Sequence, residues 1–353
     1  MRRKQSEYMH WAKTQSRARF NLATSGVGAF PLSELGPLPQ LEINGDNSYG
    51  YAPLKRAIAD HCGVDPDCVV TAAGTSGANY LAFATLLEAG DEVLVERPAY
   101  GLLVDALESV GAAITRFERS HQAGYALEPE VVRRAITPKT KLIVMTNLHN
   151  PSSVLTGESV LREIGEIARS VGARVLVDEV YLDATYENTP RSSIHLGPEF
   201  VVTSSLTKVY GVSGLRCGWI LAEAELARAM WRMNDVMAAT PVHPGELLSV
   251  AVFERLDALR ERFRRIVEVD RKVLTEFLDR TERVRAVRTD WGTTSFLRLA
   301  GGDVDGFLAK LRAERETSAV PGRFFGAPEC FRVGMGVNHE MFAEGLRRIE
   351  EVL

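Results

Sequence analysis

A chain of 353 residues with 45% hydrophobic and 25% charged side chains can bury a large core and has the balance of an ordinary globular protein. Its net charge of -4 is spread along the sequence without a basic face or tail, which argues against a nucleic-acid partner. No run of about eighteen apolar residues occurs, and the basic start MRRKQSEYMHWAKTQSR has no apolar core behind it, so neither a membrane span nor a secretory leader is expected.

Short apolar runs rich in β-formers lie at 68–71, 92–96, 113–117, 142–146, 175–178, 200–204 and 217–222. Helical patterns at 53–62, 77–88, 102–110, 129–135 and 160–171 fill most of the gaps between them. Continuous apolar strands alternating with helices predict an α/β fold with a mostly parallel sheet covered on both faces. After Pro244 the pattern changes. One long charged helix is expected at 245–281, then strands at 284–288 and 294–299, a helix at 304–314 and a last strand near Arg332. The expected organisation is a large domain at 45–244 and a smaller α+β domain at 245–353, with the segment 1–44 contributing to the smaller one. Cys62, Cys68, Cys217 and Cys330 form no CxxC pair and have no histidine at ligand spacing. They read as reduced thiols of a cytoplasmic protein, with no metal.

Ligands of parallel sheets gather at the carboxyl ends of strands, and five segments fall there. The most informative is Ser204-Ser205-Leu206-Thr207-Lys208, followed by Gly214, Arg216 and Gly218. An amine among hydroxyls, with a guanidinium eight residues on, suits a phosphorylated aldehyde: the amine condenses with the aldehyde, and the hydroxyls and arginine take the phosphate. The alternative is a surface lysine after a strand. Thr71-Ala72-Ala73-Gly74-Thr75-Ser76-Gly77 runs from a strand into a helix, offering free amides and hydroxyls to a phosphate, although such turns equally serve as plain N-caps. Asn150 precedes Pro151, which holds it extended and aims its amide at the strand ends, as in an ordinary Asn-Pro turn. Asp178 ends the apolar run Val175-Leu176-Val177. A carboxylate there is costly unless a cation meets it, or unless it merely caps the next helix. Tyr100, after Arg97-Pro98-Ala99, is placed to stack on a flat ring or simply to pack.

Taken in order, Thr75, Ser76, Tyr100, Asn150-Pro151, Asp178-Glu179-Val180-Tyr181, Ser205-Leu206-Thr207-Lys208 and Gly214-Leu215-Arg216-Cys217-Gly218 resemble the fold-type I pyridoxal-phosphate enzymes, specifically the class I and II aminotransferases. The resemblance covers nearly the whole chain. It implies a seven-stranded, mostly parallel sheet and pyridoxal 5'-phosphate as cofactor. Lys208 would be the Schiff-base lysine and proton shuttle, and Asp178 the partner of the pyridine nitrogen. Asn150 and Tyr181 would hold the phenolic oxygen, Tyr100 would stack on the ring, and Thr75, Ser76, Ser205 and Arg216 would bind the phosphate. By the same resemblance Arg332, in Phe331-Arg332-Val333-Gly334, would take the substrate α-carboxylate, with Asn150 and Gly28 beside it. A homodimer sharing its active sites is implied, with Tyr49 or Tyr51 reaching the neighbouring phosphate and the apolar run 236–244 reaching across.

The loop Asn150-Pro151-Ser152-Ser153 departs from the family's usual Asn-Pro-Thr-Gly, and the segment before Ser25 is brief. The reaction expected is transfer of an amino group between an L-amino acid and a 2-oxo acid in ping-pong fashion. β-Elimination, cyclisation and oxidation on the same scaffold are the rival reactions. A ligand-sensing regulator of this fold would need an added helix-turn-helix domain, for which the residues before 45 leave no room. No second cation for a dicarboxylate side chain can be assigned: His243, Arg323 and Arg97 are the candidates, and each reads first as a structural or solvated residue.

Overall fold

The computed structural model describes residues 3–353; Met1 and Arg2, at the head of the basic start, lie outside them. In chain order the elements are α1 (Glu7–Thr14), β1 (Phe20–Asn21), α2 (Ala52–Cys62), β2 (Val69–Ala73), α3 (Gly74–Leu86), β3 (Glu92–Arg97), α4 (Gly101–Val110), β4 (Ala113–Glu118), α5 (Pro129–Ala135), β5 (Thr140–Thr146), α6 (Glu158–Ser170), β6 (Arg174–Asp178), β7 (Phe200–Ser205) and β8 (Cys217–Leu221). There follow α7 (Ala224–Met237), α8 (His243–Phe253), α9 (Leu256–Arg280), β9 (Val284–Ala286), β10 (Thr294–Leu299), α10 (Val304–Arg315), β11 (Thr317–Ser318), β12 (Val320–Pro321), β13 (Cys330–Gly334) and α11 (His339–Val352).

The seven-stranded sheet has the order β2-β8-β7-β6-β5-β3-β4. It is parallel except for β8, which runs against both neighbours, β2 and β7. The middles of its inner strands β3, β5, β6 and β7 are apolar at consecutive positions because both faces are covered. Leu142 and Val144 of β5 join one core with Leu81, Phe83 and Leu103, while Ile143 and Met145 join the opposite core with Leu161, Ile164 and Ile167. Alternate side chains thus serve alternate faces.

A second sheet, β12-β13-β10-β9, is antiparallel and carries Arg332 between Phe296 of β10 and Val320 of β12. β1 pairs with β11, so the N-terminal segment is tied to the C-terminal part of the chain.

The fold class follows the sequence pattern, and three differences have physical causes. The single helix expected over 245–281 is two helices, α8 and α9, interrupted at Glu254 and Arg255. There the chain turns from packing on α2 and β8 to packing on α11. No glycine or proline marks the break, and the buried apolar stripe runs across it at helical spacing, from Val252 of α8 to Leu256, Leu259, Phe263 and Val267 of α9. Secondly, α3 begins at Gly74 rather than at 77, directly at the strand end, so Thr75 and Ser76 stand in its first turn. Thirdly, α1, α7 and α11 were not singled out by pattern. In α11 the buried residues are Phe342, Gly345, Leu346 and Ile349, a narrow stripe in a helix otherwise rich in charge.

Candidate active site

Asp178, Lys208, Thr75, Ser76, Tyr100, Asn150, Tyr181 and Arg216 all line one cavity at the carboxyl ends of the parallel strands. Its centre is a carboxylate without a cation bonded to it. Asp178 is 4% exposed at the end of β6. Its Oδ2 accepts from Asn79 Nδ2 at 2.9 Å and its Oδ1 accepts from the Val180 amide at 3.1 Å. Burial pushes the carboxyl up to about 6, against those two donors and the positive charge of Lys208.

Lys208 follows β7 by one tight turn, and its Nζ donates to Ser25 Oγ at 2.9 Å. Burial lowers its ammonium to about 8, helped by the positive charge of Arg332 and opposed by Asp178. A neutral fraction of the amine is therefore present near neutral pH. Tyr181 Oη donates to the Ser25 carbonyl at 2.8 Å, and burial pushes that phenol up to about 12.

The phosphate end is a ring of donors at the start of α3. The Thr75 hydroxyl donates to Ser205 Oγ at 2.7 Å, and Ser205 Oγ lies 2.7 Å from Thr207 Oγ1. Arg216, with φ of +52°, turns its guanidinium back over the helix start and donates to the Ala73 carbonyl at 3.3 Å. Gly74, with φ of +71°, leaves the room this needs, because a Cβ there would collide with the guanidinium. Hydroxyls, free first-turn amides and a guanidinium around one hollow suit a dianion.

At the other end Arg332 is fully buried. Its Nη1 donates to Asn150 Oδ1 at 3.0 Å and its Nη2 to Tyr8 Oη at 3.2 Å, while Nε has no partner. Arg332 occupies Asn150 Oδ1, so the Asn150 amide nitrogen is left as the donor that a ring hydroxylate would require. Tyr100 stands beside Tyr8, ring centroids 5.4 Å apart and edge to face.

Several expected residues lie elsewhere. Gly28 packs against the Val337 backbone, and it is Gly26 that lies against Lys208, where a Cβ would come within 3.0 Å of the Lys208 carbonyl. Arg97 pairs with Glu118 at 2.6 Å, Arg323 with Asp305, and His243 stacks edge-on against Tyr51 at 5.1 Å. None of these three lines the cavity. Tyr49 is 44% exposed and accepts from Arg232 Nη1 at 2.6 Å.

Sequence reasoning missed Tyr8, Ser25, Asn79 and Thr203. Asn79 left one trace, as an amide among the buried residues Ala78, Leu81, Ala82 and Phe83 of α3. The other three come from segments whose composition marks nothing. The set as a whole fits a phosphorylated aromatic aldehyde: an amine beside a carboxylate that lacks a bonded cation, donors for a dianion and a flat aromatic wall. Among the described residues there is no cluster of metal-ligating side chains and no helix long and apolar enough to cross a membrane.

Comparison with known proteins places this geometry. Residues 41–349 match the model of aminotransferase class I and II. The chain is 28% identical to capreomycidine synthase of Streptomyces vinaceus over 351 residues, 96% of this chain and 90% of that protein. A crystal structure of a PLP-dependent aminotransferase from Streptococcus suis 89-1591 superposes with a TM-score of 0.93 at 26% identity, covering 100% of this chain and 98% of that one. The PLP-dependent cyclase OrfR superposes with a TM-score of 0.89 at 25% identity, covering 100% and 98%. The chain belongs to the class I and II aminotransferase family of fold-type I enzymes, which use pyridoxal 5'-phosphate.

Proposed function

We propose that this enzyme transfers an amino group between an L-amino acid and a 2-oxo acid, the two substrates entering the same site in turn. The observation that carries the reading is Arg332, a fully buried guanidinium bonded only to the neutral Asn150 and Tyr8. A buried charge with neutral partners is expensive, and an α-carboxylate shared by every substrate of this reaction would complete its fork.

In this reading Thr75, Ser76, Ser205 and Arg216 hold the phosphate of the cofactor, and Tyr100 covers its ring. Asp178 meets the ring nitrogen, with Asn150 and Tyr181 at the phenolic oxygen. When bound, pyridoxal 5'-phosphate supplies an electrophilic aldehyde and an electron-withdrawing ring. Asp178, in a dry pocket, favours a protonated ring nitrogen. Arg332 fixes the substrate by its carboxylate and so presents the Cα–H to one side. Lys208, lowered to about 8, takes that proton and returns it, acting as base and then as acid at one position. Tyr49 is exposed, as are the apolar side chains of Ile43, Val236 and Val242, which supports a homodimer in which Tyr49 reaches the phosphate of the partner site.

Cyclisation is the second reading, favoured by the match to capreomycidine synthase over nearly all of both chains and by the likeness to OrfR. The two separate in one experiment. Cofactor-loaded enzyme is mixed with excess L-amino acid and no acceptor. Transamination yields one equivalent of 2-oxo acid per site and stops until an oxo acid is added. Continuous consumption of amino acid with no acceptor added overturns it, with ammonia release pointing to elimination and a ring product to cyclisation.

A further inference from the structure

The residues around Asp178 go further than holding it in place. Asn79 lies one helical turn beyond Thr75 on α3 and is 4% exposed, with Ala78, Leu81, Ala82 and Phe83 buried around it. A buried amide in such company is costly unless both of its ends are bonded. Here they are. Thr203 Oγ1 donates to Asn79 Oδ1 at 2.6 Å, and Asn79 Nδ2 donates to Asp178 Oδ2 at 2.9 Å. Thr203 is fully buried on β7 and is the direct ladder partner of Asp178 on β6.

The direction of this chain is fixed by its chemistry. With Thr203 donating to the amide oxygen, Asn79 turns its NH2 toward the carboxylate; the flipped amide would set oxygen against oxygen. Asp178 receives a second donor from the Val180 amide. A proton on Oδ2 would face the amide hydrogens, so both contacts favour the ionised acid. The relay therefore starts in the sheet, crosses to α3 and ends on Asp178, the one carboxylate among the described residues that lines the cavity.

We infer that Asn79, held by Thr203, is a positioning residue for the cofactor ring: it keeps Asp178 an ionised acceptor aimed at the ring nitrogen. The inference rests on the reading that Asp178 pairs with that nitrogen. It assigns no contact between Asn79 and the cofactor itself, and it explains why a helix that otherwise presents small and apolar residues carries a buried amide at this point.

The test compares retention of pyridoxal 5'-phosphate and of its 1-deaza analogue, in which carbon replaces the ring nitrogen, by the full-length chain loaded with each. Wild type should prefer the natural cofactor. Asn79→Leu, close in volume, should bind the natural cofactor about tenfold more weakly while holding the analogue as before, one pKa unit of lost interaction being a factor of ten. Thr203→Val should act in the same direction. A variant that loses both ligands equally, or that keeps the wild-type preference, overturns the inference. Wild type binding both ligands alike instead overturns the Asp178 pairing on which it rests. Should Asn79→Leu fail to fold, Thr203→Val carries the test alone, and a wild-type preference there overturns the inference.

Discussion

Two buried carboxylates stand at the carboxyl ends of β3 and β6, strands of one sheet with only β5 between them, and they are treated in opposite ways. Glu96, near the end of β3, is fully buried and meets Arg119 Nη1 at 2.9 Å, itself buried, with the Thr146 amide and hydroxyl as further donors. Asp178, at the end of β6, has donors that are all neutral. Burial pushes both acids up, but only at Glu96 does a bonded guanidinium oppose it. The arginines divide in the same way: Arg119 has its carboxylate, whereas Arg332 has Asn150 and Tyr8. A closed ion pair completes the fold, while a buried charge with only neutral partners is held for a counter-charge that arrives with a ligand.

The division can be broken most severely at the amine. On the proposed reading, Lys208→Ala removes both the group that condenses with the cofactor and the base that moves the substrate proton. Turnover should fall by about ten-thousand-fold or more, measured as oxo acid formed, with the fold unchanged by circular dichroism.

The arginines should then separate stability from function. Arg119→Met leaves Glu96 buried without its cation and should destabilise the protein by about 3–5 kcal/mol in denaturant unfolding. Arg332→Leu removes a cation with no anion beside it. Its stability should match or exceed wild type, while kcat/KM falls by about a hundredfold or more. Equal losses of stability in the two variants would erase the distinction.

How much of this was legible beforehand depends on where each residue lies in the chain. Asp178 and Tyr181 sit three residues apart on one strand end, and Ser205 and Lys208 on another, so a single local motif carries each pair. Arg332 was singled out the same way, from a short segment that forms a strand of the second sheet. Arg119 and Glu96 could not be paired from sequence because the contact spans β3 and the end of β4, and nothing local says which arginine is the partner. Asn79, Thr203, Tyr8 and Ser25 are brought in by tertiary packing, as residue types that are common everywhere. The interruption between α8 and α9 was hidden for a related reason: it serves two packing surfaces and leaves the helical period intact.

The acids give a pH test with a definite sign. In the cofactor-free protein Asp178 titrates at about 6, above an ordinary aspartate at 3.8. The folded state then holds the proton more tightly than the unfolded state does, so Asp178 makes stability fall as pH rises from about 4 to about 6. The difference between wild type and Asp178→Asn across that window should be on the order of 2 kcal/mol. Loading with pyridoxal 5'-phosphate should flatten it, since a protonated ring nitrogen draws the acid back down. A slope unchanged by cofactor would mean that no cation reaches Asp178.

The smallest effect is expected at Tyr8, and it sharpens the account of Arg332. Tyr8 comes from α1, which is held to α4 through Arg3 with Asp105 and Glu108. Its ring packs between Tyr100 and Phe324, and its hydroxyl is a neutral acceptor for a cation. On the proposed reading a substrate carboxylate shares this fork, and the hydroxyl is either its placeholder in the empty site or a support that stays when the site fills. Tyr8→Phe keeps the ring and removes the acceptor. One neutral hydrogen bond is worth about 0.5–1.5 kcal/mol net, so affinity for substrate should change by about two- to tenfold with kcat almost unmoved. Tighter substrate binding in Tyr8→Phe would identify the hydroxyl as a placeholder that substrate must displace, and weaker binding as a support that stays in contact with the filled fork.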